Sequence, residues 1–137
     1  MTPETLAALT RRAYRHLTPW SAEQFEQTLS GRFSLLASTE HAFVLGQIIA
    51  DEAEILALAA DPDRQRTGEA TRALTDFHAQ ATARGATRVF LEVAAANAPA
   101  RAFYTRQGYA EVGLRRGYYP RPDGTRDDAV IMSRALP

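Results

Sequence analysis

The 137-residue sequence predicts an α/β protein of the mixed-sheet, α+β kind, with helices laid against one largely antiparallel sheet. Three observations carry that prediction. Apolar runs at residues 33–38, 42–50 and 54–60 are separated only by Thr39-Glu40-His41 and Asp51-Glu52-Ala53, which is the spacing of an antiparallel meander. Residues 67–84 place Ala70, Ala73, Leu74, Phe77 and Ala81 at helical spacing, and Gly85 follows where a C-terminal cap belongs. Between them, residues 56–74 run from an apolar strand through an Asp61-Pro62 stop into a turn containing Gly68 that opens a helix.

The elements follow in order. Thr2 caps a first helix with Pro3 at its first position and Leu6, Leu9 and Ala13 on one face; the helix is expected to end near His16. Ser21, with Gln24 at capping-box spacing, opens a second short helix that turns Phe25 and Leu29 inward and stops at Gly31. The meander and the long helix come next. Residues 88–93 read as a buried strand, 99–107 as a helix ended by Gly108, 109–116 as a strand and 128–134 as the last strand. Pro120-Arg121-Pro122-Asp123-Gly124 has the chemistry of a loop.

Composition bounds the function. With 45% apolar and 23% charged residues the chain has the balance of an ordinary globular domain, and its length suits one domain, residues 1–137. Zero net charge argues against a general attraction to nucleic acid, although all sixteen basic residues are Arg. No run is long enough to span a membrane and the N-terminus lacks the order of a signal peptide, so a cytoplasmic protein without membrane partners is expected. The absence of Cys removes disulfides, thiolate metal sites and a cysteinyl intermediate. His16, His41 and His78 show no ligand spacing with carboxylates, and no metal is expected.

The turn before the long helix suggests a ligand. Free N–H groups and the positive end of a helix dipole suit a phosphate, which points to a nucleotide-type cofactor. The spacing Gln65-x-x-Gly68-x-Ala70 is neither the dinucleotide fingerprint nor the P-loop. It resembles instead the pyrophosphate loop of the GCN5-related N-acetyltransferases. Leu58-Ala59-Ala60 at a strand end, Leu91-Glu92-Val93 with Asn97 following, and Ala102-Phe103-Tyr104 leading to Gly108-Tyr109 match the same family in the same order. Pro19-Trp20-Ser21 and Arg115-Arg116-Gly117-Tyr118-Tyr119-Pro120 narrow the likeness to its bacterial branch that acetylates the N-terminal alanine of ribosomal protein S18. The family usually begins with a strand before the first helix; here only Met1 and Thr2 precede it, so that strand is missing or the true start lies upstream, and one sheet edge is expected to be uncovered.

The resemblance implies acetyl-CoA as cosubstrate and direct transfer to a protein N-terminal amine, by a monomer or weak homodimer. Gln65, Arg66, Thr67, Gly68, Glu69 and Ala70 would surround the pyrophosphate, Gly68 allowing close approach. Leu58, Ala59 and Ala60 would offer main-chain groups to the pantetheine arm. Asn97 is a helix cap, a cofactor contact, or both. Glu69 departs from the family's small or apolar residue, and a carboxylate there repels a pyrophosphate unless it points away. Glu92, in an apolar strand where a charge needs a partner or a task, matches the family's general base, although alternation alone also allows it a solvent-facing place. Tyr104 matches the proton donor to the departing thiolate, or packs as an aromatic of its helix. Trp20, Tyr118 and Tyr119 would wall the acceptor site. A small-molecule amine acetyltransferase and a non-catalytic CoA-binding or partner-binding member of the same fold are the alternatives.

Overall fold

A computed structural model describes residues 1–15, 17–64 and 66–137. Helices α1 (Pro3–Ala13) and α2 (Ala22–Leu29) precede strands β1 (Ser34–Ser38), β2 (Ala42–Ile49) and β3 (Glu52–Ala60). A 3-10 turn (Pro62–Arg64) leads to α3 (Glu69–Ala83), β4 (Arg88–Ala94), α4 (Ala98–Arg106), β5 (Ala110–Pro120) and β6 (Arg126–Ala135). The helix and strand order is the expected one, and the meander is antiparallel. The predicted capping box of Ser21 with Gln24 forms, and Thr2, expected as a cap, forms a second one with Thr5. The expected end of the first helix at His16 lies outside the described residues, but regular helix already stops at Ala13, capped by Tyr14.

Three boundaries differ from expectation for one reason: strands extend as far as their neighbours pair. Glu52 and Ala53 belong to β3, paired to Ile49 and Ile48. The turn between β2 and β3 is therefore tight, with Ala50 in the left-handed region (φ 56°). At the other end Tyr119 and Pro120 pair with Asp127 and Arg126, so Pro120 is strand and the turn spans residues 121–125.

The six strands lie in the order β1-β2-β3-β4-β6-β5, antiparallel except for β3 beside β4. α3 packs on one face with Leu74 and Phe77 against Val44, Val89 and Leu91; α1 and α2 pack on the other with Leu6 and Phe25 against Phe43 and Leu45. No described strand precedes α1, and β1 forms one edge. That edge has partial cover. The Ile48 N–H donates to the Phe33 carbonyl, so alternation turns the Ser34 carbonyl outward, and Arg84 at the end of α3 donates to it at 3.0 Å.

Two features open the centre of the sheet. Parallel pairing of β3 and β4 covers only Glu52–Ile55 with Arg88–Leu91. Past that point β3 stays with β2 and β4 stays with β6, so the two central strands part. A bulge sits where they separate: Leu45 pairs with Ala57 and Gly46 with Ile55, leaving Leu56 without a partner. The extra residue reverses the alternation of β3. Ala53 and Ile55 face α3, whereas Ala57 and Ala59 face α1 and α2.

Candidate active site

The parted strands enclose a cavity of about 450 Å³, lined on one side by residues 55–60 and on the other by Leu91, Glu92 and Val93. The end of α1 and the loop after it (Ala13, Tyr14, Arg15, Leu17), Ala70 of α3, and Asn97, Phe103 and Tyr104 at α4 complete it. Main-chain polarity is built in. The Asp61 N–H donates to the His41 carbonyl, so Asp61 and Ala59 face β2, and the peptide groups of Ala60 and Leu58 face the gap.

Glu92 lies on the half-buried face of β4 between the buried Leu91 and Val93. Its Oε1 is 3.1 Å from Nε of Arg115, a residue of β5 two strands away. With 18% of its side chain exposed, the carboxylate is largely removed from water, and this ion pair is the partner its position demanded. Arg115 also lies over the Tyr118 ring, 5.2 Å from its centroid. The sequence named Arg115 only as part of a motif, because a pairing that spans two strands leaves no local signal.

Tyr104 is buried on α4, edge-on to Phe103 and Tyr109 at 5.3 and 5.4 Å between centroids. Burial pushes its phenol well above the ordinary range, with Tyr109 and Tyr14 adding smaller effects, so it carries its proton throughout the working pH range. Behind it the Tyr109 hydroxyl meets His78 Nε2 at 2.7 Å. Burial, then Arg134, lowers His78 to about 4, leaving the imidazole neutral at pH 7. Asn97 both caps α4, its Oδ1 accepting the Ala100 N–H at 3.2 Å, and lines the cavity.

The loop before α3 has the geometry of an anion cradle. Arg66 and Gly68 both adopt left-handed backbone (φ 66° and 80°), and Gly68 as N-cap supplies no side chain to the first-turn N–H groups. Gln65 lies outside the described residues. Glu69 turns away from this loop: its carboxylate accepts from the Thr39 hydroxyl and from the His41 N–H (3.4 Å), and pairs with Arg72 at 3.1 Å. Those contacts, Thr39 foremost, hold it below the usual carboxylate range. It ties α3 to the β1–β2 turn.

The three aromatics named as acceptor walls part company. Trp20 stacks on Phe25 (centroids 4.9 Å apart) and lies outside the cavity lining. A wide bulge, with residues 116–118 opposite Asp128 alone and Gly117 at φ 60°, sets the two tyrosines. Tyr118 is exposed over Arg115, whereas burial, with Glu92 as the next cause, pushes Tyr119 up to about 12. Tyr119 is half-buried with its ring edge-on to Tyr118, and neither tyrosine is part of the cavity lining. The bulge is held by the Gly117 N–H on Asp128 Oδ1 at 2.8 Å, and the neighbouring buried Asp127 accepts the Ala96 N–H at 2.9 Å, anchoring the loop that leads to Asn97. Tyr14, Asp127 and Arg115 had not been singled out from sequence as site residues.

The central parallel pair of this mixed sheet thus parts over a cavity lined by a carboxylate and a phenol. Residues 5–109 match the Acetyltransferase (GNAT) family, and the chain belongs to that family. The [ribosomal protein bS18]-alanine N-acetyltransferase of Haemophilus ducreyi is 38% identical over 125 residues, covering 88% of this chain and 86% of the relative. The crystal structure of the ribosomal-protein-S18-alanine N-acetyltransferase from Escherichia coli superposes with a TM-score of 0.85 at 34% identity, over 98% of this chain and 87% of that one. At 18% identity, Arabidopsis thaliana NAA60 in complex with acetyl-CoA shares the fold (TM-score 0.82, covering 97% and 92%). Among the described residues no helix is long and apolar enough to cross a membrane.

Proposed function

We propose that this N-acetyltransferase moves an acetyl group directly from acetyl-CoA to the N-terminal amine of a protein, the N-terminal alanine of ribosomal protein S18 being the preferred acceptor. The observation that carries the reading is the placement of Glu92 and Tyr104 around one cavity whose wall offers the unpaired main chain of Leu58 and Ala60. The residues present fit the cosubstrate. The gap takes an extended arm, Leu58 and Ala60 have peptide groups free to pair with its amides, and the left-handed turn at residues 66–68 with the uncapped start of α3 suits its phosphates. Glu69, turned to Thr39 and Arg72, does not oppose them.

When bound, acetyl-CoA supplies the activated acetyl thioester; the rest is done by the chain. Arg115 fixes Oε1 of Glu92, and Oε2 accepts the proton of the acceptor ammonium, directly or through water. The freed amine nitrogen forms the new C–N bond as the C–S bond breaks. The Leu58 N–H faces the carbonyl oxygen on which negative charge grows. Tyr104 delivers its proton to the departing sulfur, so one proton leaves at nitrogen and one arrives at sulfur. A terminal α-amine, with a free pKa of about 8 against about 10.4 for lysine, makes a light demand on the base.

The test is acetyl-CoA with peptides beginning with the S18 N-terminus, the same peptide beginning with Ser, and one carrying only an internal Lys, followed by mass. Acetyl gain on the alanine peptide first is expected. Acetylation of small amines with no peptide modified would transfer the assignment to a small-amine enzyme, and cofactor binding without any transfer would exclude catalysis.

A further inference from the structure

We propose that Arg12 of α1 is a positioning residue for the phosphates of the cosubstrate: it clamps the start of the loop between β3 and α3 and so keeps that loop in the shape of an anion cradle. The inference rests on the acetyl-CoA reading and extends the site to a side chain outside the cavity lining.

One guanidinium makes three contacts across the molecule. From the last turn of α1, Arg12 Nη1 donates to Asp61 Oδ2 at 3.0 Å, and Nη2 donates to Asp61 Oδ1 at 2.8 Å and to Asp63 Oδ2 at 2.7 Å. Asp61 directly follows β3, and Asp63 lies in the 3-10 turn that opens the loop. A fork onto both oxygens of one carboxylate fixes its orientation as well as its place. The Asp63 N–H, then Arg12, hold the Asp61 carboxyl below its ordinary range, so the clamp is ionic at neutral pH.

From this clamp the loop is wired toward its other end. Asp61 Oδ1 also accepts the Asp63 N–H at 2.9 Å, and the Asp61 carbonyl accepts the Arg64 N–H at 2.9 Å. The Thr67 hydroxyl donates to the Arg64 carbonyl at 2.6 Å, and Arg72 Nη1 donates to the Thr67 carbonyl at 3.0 Å. Arg72 in turn pairs with Glu69, which Thr39 and His41 hold. Arg66 and Gly68, both in left-handed backbone, stand between the two anchors. A residue with a Cβ is disfavoured there, so Arg66 keeps that conformation only while the surrounding contacts impose it.

The consequence is an affinity. N–H groups already turned to one point receive a phosphate without an ordering cost at the moment of binding, whereas a loop freed at its first end meets that cost each time. Charge acts in the same direction. Asp61 and Asp63 bring two carboxylates to the start of a loop that receives anions, and the guanidinium that grips both offsets their repulsion.

The experiment uses the full chain and two variants: Arg12→Met, which removes the clamp, and Arg12→Lys, which keeps a charge without the fork. The measurements are kcat and KM for acetyl-CoA and for acetyl-pantetheine, which carries the same thioester arm without the diphosphate, together with CoA affinity by titration calorimetry and the melting temperature. Arg12→Met is expected to raise the acetyl-CoA KM and the CoA Kd roughly tenfold, to leave kcat at saturating acetyl-CoA unchanged, and to leave kcat/KM for acetyl-pantetheine unchanged; Arg12→Lys is expected to fall between it and the parent. An equal loss with both thioesters, or a lower kcat at saturation, would make Arg12 a tie for α1 as a whole and overturn the proposal. Unchanged KM and Kd in a variant that only melts earlier would overturn it too. Should Arg12→Met fail to fold, the same comparison on Arg12→Lys decides. A native chain that does not prefer acetyl-CoA to acetyl-pantetheine would remove the phosphate reading of the loop itself, and this proposal with it.

Discussion

Replacing Glu92 by Gln tests the base directly, because the amide keeps the size of the side chain and loses only its capacity to take a proton. Arg115 is left without its charge partner, but its side chain is 55% exposed and still lies over Tyr118, so the loss of the pair should cost under ~1 kcal/mol of stability. Any larger effect must come from chemistry. General-base assistance is worth roughly 10²- to 10⁴-fold. An α-amine with a pKa of about 8 is only about one-tenth neutral at pH 7 and about nine-tenths neutral at pH 9. The variant should therefore fall roughly 100-fold below the parent in kcat/KM at pH 7, and the gap should narrow to roughly tenfold by pH 9 as solvent deprotonates the amine unaided. Thiol release with an alanine-initial peptide, read across pH 6.5–9.5 on samples of matched thermal stability, measures this. A ratio that stays constant with pH would refute the base role, since a variant that had only disturbed binding would lose the same factor everywhere.

Three further outcomes are expected. Tyr104→Phe should lower kcat roughly 100-fold with CoA affinity and melting temperature nearly unchanged, because the ring contacts with Phe103 and Tyr109 survive; a fully active variant would rule out the acid role. Gly46→Ala should destabilise by more than the ~1–3 kcal/mol usual for overpacking, since a Cβ there would overlap the Glu54 carbonyl and lie 2.6 and 2.8 Å from ring carbons of Phe77; a urea midpoint near that of the parent would contradict this packing. Glu69 has a folded-state pKa below its unfolded value, so its stabilisation is present above about pH 4.3 and is lost as pH falls through the folded value. Glu69→Gln should accordingly flatten the melting temperature between pH 5 and 3 without tightening CoA binding; a tighter complex would mean that the carboxylate does face the phosphates.

What could be read from sequence was what neighbouring residues decide. Thr2, Ser21 and Asn97 cap helices through residues three positions on, so the local pattern sufficed. Strand ends were less legible because pairing sets them: Arg126 and Asp127 are strand only because Tyr119 and Pro120 lie opposite. The Glu92–Arg115 pair and the place of Tyr14 in the cavity wall arise from strand order and helix docking, and neither leaves a periodic trace. Glu69 is the instructive case. Its place in the loop was visible, and its direction was not, since Thr39 and His41 come from a distant turn.

The two bulges serve one physical purpose. A regular sheet uses up its peptide groups in pairing and fixes every side chain by alternation, so it has neither main-chain donors nor freedom of direction to offer a substrate. Leu56 supplies one surplus residue where β3 leaves β4; beyond it Leu58 and Ala60 turn their peptide groups to the gap, and Ala57 and Ala59 cover the opposite face with side chains small enough for α1 to bring Tyr14 close. Gly117 marks the second surplus, and there the chain separates Tyr118, left at the surface over Arg115, from the half-buried Tyr119. Deleting Leu56 would close the bulge with Ile55 still opposite Gly46 and Ala57 still opposite Leu45, so Leu58 would keep its face while β3 lost the kink at which it leaves β4. Such a chain could still pair its strands, yet the gap that exposes the peptide groups of Leu58 and Ala60 would narrow, and with it the cavity between β3 and Glu92. Loss of acetyl transfer with the sheet retained, seen by circular dichroism, is the outcome this architecture requires.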